Sequence, residues 1–154
     1  VKSKLMQTSR NPRLGTGRFQ WNTGAWFGSI AGGTAWMIVM AGFLVANRQL
    51  LVAAVPAGCF VITNMIAFAL WTRRELNNPF SGLMAILAVL AFTVPLSYIA
   101  VSVWGSQESL AQMNWPSSAI WHVVVLLLVP AMMAWLYVLE RHSQNALGDA
   151  DDAT

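Results

Sequence analysis

Four long apolar stretches follow one another along the chain, separated by short polar interruptions. They cover about 24–46, 50–71, 82–104 and 118–139, and none of them contains Lys, Arg, Asp or Glu. A helix that crosses a bilayer needs about 20 largely apolar residues, because lipid offers no partner to a bare peptide group. Each stretch meets that length. Membrane β-strands would alternate apolar and polar positions in blocks of about ten residues. Runs such as Met84-Ala85-Ile86-Leu87-Ala88-Val89-Leu90 do not alternate. The pattern therefore predicts an all-α polytopic membrane protein, a single membrane domain over 1–154 built as a four-transmembrane-helix bundle.

The interruptions fit this reading. Asn47-Arg48-Gln49 is a tight polar turn, which makes helices one and two antiparallel neighbours. The segment 72–79 carries Arg73, Arg74 and Glu75 and closes on Asn77-Asn78-Pro79, where proline restarts a helix. The segment 105–117 reads as the longest internal loop, and Ser118 follows Pro116 and Ser117 as a cap for helix four. The first apolar run is too long for the core of a signal peptide and stays as a membrane helix.

Composition sharpens the picture. Of the chain, 56% is hydrophobic and only 10% charged, against about 25% charged in a soluble domain. One cysteine excludes an internal disulfide framework, and the net charge of +3 resides at the ends and in one loop, which argues against a nucleic-acid partner. Lys2, Lys4, Arg10, Arg13 and Arg18 precede helix one, Arg73 and Arg74 follow helix two, and Arg141 follows helix four; only Arg48 falls on the other side. Basic residues near helix ends stay in the cytoplasm. Both termini are expected there, and Val1, read as an alternative start codon, points to a bacterial cytoplasmic (inner) membrane. The basic N-terminal arm, 1–20, is expected to lie on anionic lipid, with an acidic tail over 145–154 on the same side. Tryptophans near the helix ends, such as Trp21, Trp71, Trp104 and Trp121, suit the headgroup interface; Trp36, near the middle of helix one, does not.

Several features are candidates for function. Gly24, Gly28 and Gly32, with Ala31 and Ala35, fall within about 100° of helix one and form a smooth stripe for helix packing. The favoured partner of the stripe is another helix of the same chain, and the alternative is an oligomer interface. Asn64 and Thr63 on helix two and Thr93 and Ser97 on helix three are polar groups inside apolar helices. They serve either as interhelical hydrogen bonds or as the lining of a pathway or pocket. Pro95 and Pro130 lie well inside their helices and are expected kinks.

His122, about one turn into helix four, is the only candidate cofactor ligand, for haem or chlorophyll. A second histidine for haem is lacking on the facing helices, so no cofactor or metal is expected. No nucleophile–base pair, acidic dyad or metal-spaced cluster is present, and no acid lies within a span, so no enzyme and no ion-coupled carrier is expected. Two functions remain. The chain is either a self-associating channel or carrier for a small solute or ion, which the stripe and the kinks favour, or a non-catalytic membrane subunit or anchor that docks on a partner membrane subunit.

Overall fold

The computed structural model describes residues 21–116 and 118–152, and for 143–152 the backbone alone. The described residues are all-helical: α1 is Thr23–Ala46, α2 Leu50–Thr72, α3 Pro79–Trp104, α4 the short Gln107–Gln112, and α5 Ala119–Asp152. Four of these helices, with α5 taken over Ala119–His142, are long and apolar enough to cross a membrane. The expected arm over 1–20, Ser117 and the last two residues of the tail lie outside the described residues.

Local chemistry sets the helix ends. Asn22 caps α1 by accepting from the Ala25 amide at 3.0 Å, and Asn78 caps α3 by accepting from Phe80 at 2.9 Å. Pro79 stands at the first position of α3, where its missing N–H costs nothing. α3 therefore begins at the proline, three residues ahead of the apolar run over 82–104. α1 ends on Arg48, whose φ of 60° is left-handed. The Arg48 amide donates to Val45 and the Gln49 amide to Leu44, each at 2.9 Å, and these bonds occupy two otherwise orphaned carbonyls. α4 ends in the same way on Asn114, with φ 50°.

Two elements differ from expectation. The segment 105–117 is not an open loop, because Ser106 caps α4 through the Ser109 amide at 3.3 Å. The fourth long helix does not stop near residue 139 but continues to Asp152. No proline follows Pro130, so nothing in the sequence removes a helical hydrogen bond there.

α1 packs on α2, α2 on α3, and α3 on α5. The bundle has a terminal end, where α1 and α3 begin and α2 and α5 finish, and a turn end, which carries the α1–α2 turn and α4. Towards the terminal end Trp26, Ile30, Ala67 and Ile86 form one buried apolar cluster; towards the turn end Leu44, Ala53 and Val101 form another. A polar layer lies between them. α3 is the most enclosed helix and α5 the least, with 44% and 6% of their apolar windows buried.

Candidate functional site

The polar layer is built from three helices. Thr34 on α1 and Thr63 on α2 are fully buried, as is Ser97 on α3, with Thr93 nearly so. The Thr63 hydroxyl donates to Thr93 Oγ1 at 3.1 Å, and Asn64 Nδ2 donates to Thr34 Oγ1 at 3.2 Å and to the Phe60 carbonyl at 2.8 Å. Thr34 in turn donates to the Ile30 carbonyl at 2.8 Å. The structure thus brings Asn64, Thr63 and Thr93 together as interhelical bonds that tie α1 to α2 and α2 to α3. Ser97 lies one turn from Thr93, and its buried oxygen finds no hydrogen-bond partner among the described residues.

The glycine stripe corrects an expectation. Gly24, Gly28, Gly32, Ala31 and Ala35 are all exposed. A Cβ added at Gly28 or Gly32 would meet nothing within 4 Å. The buried positions of α1, from Trp26 through Met37 to Leu44, centre about 150° round the helix from the stripe at 3.6 residues per turn. Packing of the stripe on another helix of the same chain is therefore overturned. Large α1 side chains, Trp26, Met37 and Leu44, hold the bundle side, and the small residues are left outside. Gly82 on α3, by contrast, is buried against the ring of Trp21.

A groove of about 740 Å³ separates α1 from α5, with α3 as its floor. Its α1 wall carries Ala25, Ser29, Gly33 and Trp36; Leu87 and Leu90 lie on the floor, and Val129 and Met132 on the α5 wall. Asn64, Thr63, Thr93 and Ser97 are not part of its lining. Trp36, the tryptophan that stands away from the interface, lines this groove.

Aromatic side chains close the terminal end of the bundle. Trp21 meets Trp26 edge-on at 4.9 Å and Trp71 at 5.9 Å. Their indole donors reach across helices, Trp26 Nε1 to the Ala67 carbonyl and Trp21 Nε1 to that of Asn77, both at 3.3 Å. Arg74 stacks over Trp71 at 4.8 Å. Trp21, Trp26 and Trp71 thus serve as packing and bonding groups within the chain.

The turn end is tied by Gln49. Its amide donates to Ser106 Oγ at 2.7 Å and to Ser109 Oγ, and its carbonyl accepts from the Ser106 amide at 3.0 Å. Tyr98 stacks on Trp115 at 5.1 Å and donates to the Pro116 carbonyl at 3.0 Å. His122 Nδ1 lies 2.9 Å from the Ser118 carbonyl, and its ring meets Tyr98 edge-on at 5.4 Å. Among the described residues no group of three or more His, Cys, Asp or Glu lies together. Pro95 is buried and Pro130 exposed, and both helices continue across their prolines. Glu140 is buried just past the apolar run of α5.

No protein family, curated protein or solved structure matches the chain. The geometry of the chain alone carries the reading of its function. Sequence reasoning missed the Gln49 bridge, Gly82 and the groove, because each depends on residues far apart in sequence. The indole donors of Trp21 and Trp26, which must bond when removed from water, were the one available signal.

Proposed function

We propose that the protein is a non-catalytic integral membrane subunit that assembles with another membrane chain, foremost a second copy of itself, through the outward face of α1. The observation that carries this reading is the exposure of Gly24, Gly28 and Gly32 on the side of α1 turned away from its own bundle. Between helices in lipid there is no hydrophobic driving force, so association depends on close backbone approach, which small residues permit. The protein spans its membrane with both termini in the cytoplasm, following the excess of basic residues at the terminal end.

Gly28→Leu is the test. It places a branched side chain on the contact face without touching the chain's own core, so the thermal stability of the single chain should hold while the mass of the assembly in detergent falls. An unchanged mass would mean that the stripe faces lipid, and the proposal would fail.

A self-associated path for a small solute or ion is the second reading, and Ser97 is the observation in its favour. A buried hydroxyl with no partner among the described residues is a natural contact for water. The first reading is better supported, since Asn64, Thr63 and Thr93 are already bonded within one chain. Ion flux into proteoliposomes above that of empty vesicles would reverse this order.

A further inference from the structure

We propose that the groove between α1 and α5 holds the acyl part of one anionic phospholipid, with its headgroup at the terminal end of the bundle. The groove borders the glycine stripe along one side of α1 and shares Gly32 with it, and the proposal rests on the membrane placement given above.

Length decides against a helix as occupant. Along α1 the groove runs from Ala25 to Trp36, about 16 Å at 1.5 Å per residue. A spanning helix must cross about 30 Å of hydrocarbon and would overrun it, whereas one leaflet contributes about half of that depth.

Polarity and charge give the occupant its direction. Deep in the groove the lining is aliphatic apart from Ser29 and Trp36, and its polar groups otherwise sit at the terminal end, Asn22 and the indole of Trp21. The chain that enters at Trp21 carries five basic and no acidic residues over 1–20, and Arg141 follows the groove residue Leu136 by five positions on α5. In sequence, the segments joined to this end hold eight basic residues against five acidic, counting Glu75, Glu140, Asp149, Asp151 and Asp152. An anionic headgroup is favoured there over a zwitterionic one, by about fivefold for each Lys or Arg engaged, the equivalent of ~1 kcal/mol.

The full-length protein, purified in detergent, is titrated with phosphatidylglycerol and separately with phosphatidylcholine of the same chains, and bound lipid is counted by native mass spectrometry. One phosphatidylglycerol per chain, held at least fivefold more tightly than phosphatidylcholine, is expected. Gly33→Leu fills the groove at a position where a Cβ meets nothing within 4 Å, and it should remove this lipid; Gly28→Leu should retain it. Equal retention of both lipids by the unaltered chain overturns the proposal, as does retention by a folded Gly33→Leu. If Gly33→Leu instead disperses an oligomer and leaves lipid binding intact, the groove takes a second copy of the chain and the lipid assignment is wrong. The assembly reading fails separately, when Gly28→Leu leaves the mass of the assembly unchanged.

Discussion

The ring of Trp21 occupies the space where any side chain at Gly82 would stand. The ring cannot simply swing aside, because it meets Trp26 at 4.9 Å and Trp71 at 5.9 Å and donates to the Asn77 carbonyl. Gly82→Ala should therefore cost about 1–3 kcal/mol through overpacking. Gly28→Ala, with open space around the new methyl group, should gain about 0.5–1 kcal/mol from helix propensity. Thermal unfolding of the two variants in one detergent compares them directly. Equal effects would mean that Trp21 has another place to go.

The bond between Thr63 and Thr93 is accessible to a double-mutant cycle. Thr63→Val and Thr93→Val keep the shape and remove the hydroxyls, and the coupling between them should be about 0.6 kcal/mol, with an upper bound near 1.7. A coupling of zero in unfolding free energy would show that the two helices do not depend on this contact.

Gln49 makes three hydrogen bonds to Ser106 and Ser109 across the turn end. Gln49→Ala should free α4 while the long helices remain, and hydrogen exchange over 106–112 should rise by at least tenfold, since each net bond contributes about 0.5–1.5 kcal/mol. An unchanged exchange rate in that segment would place the anchor of α4 in its apolar contacts instead.

Arg48 holds a left-handed backbone with φ 60°. An L side chain there costs about 1–2 kcal/mol relative to the right-handed form, and glycine does not bear this cost. Arg48→Gly should raise the unfolding free energy by up to about 1 kcal/mol, the usual size of such backbone effects. A fall would point to a contact of the guanidinium that outweighs the strain.

The number of long helices and the approximate limits of the first three were legible because length and lack of charge set them, whereas the end of α5 at Asp152 was not. The polar layer was legible in part. Asn64 and Thr63 stand out in an apolar helix, but their partners Thr34 and Thr93 are each 30 residues away, and no spacing rule connects them. The glycine stripe was the most visible motif and its direction was misjudged, since a face of small residues reads the same whether it meets a helix of its own chain or the surroundings. Trp26, Met37 and Leu44 give the direction once the buried side is known. α4 escaped notice because six residues, Gln107–Gln112, are too few to leave a period.

α5 packs chiefly on α3, and the hydrogen bonds described for the polar layer run between α1, α2 and α3. Thr34, Asn64, Thr63 and Thr93 therefore have their interhelical partners by the time residue 104 has been synthesised. Chains emerge N-terminus first, so the hydrogen bonds that join α1, α2 and α3 do not wait for α5. The last helix then arrives as an addition along one seam. Release of α5 from that seam, rather than opening of the bundle, is the smallest rearrangement by which the groove beside α1 changes width.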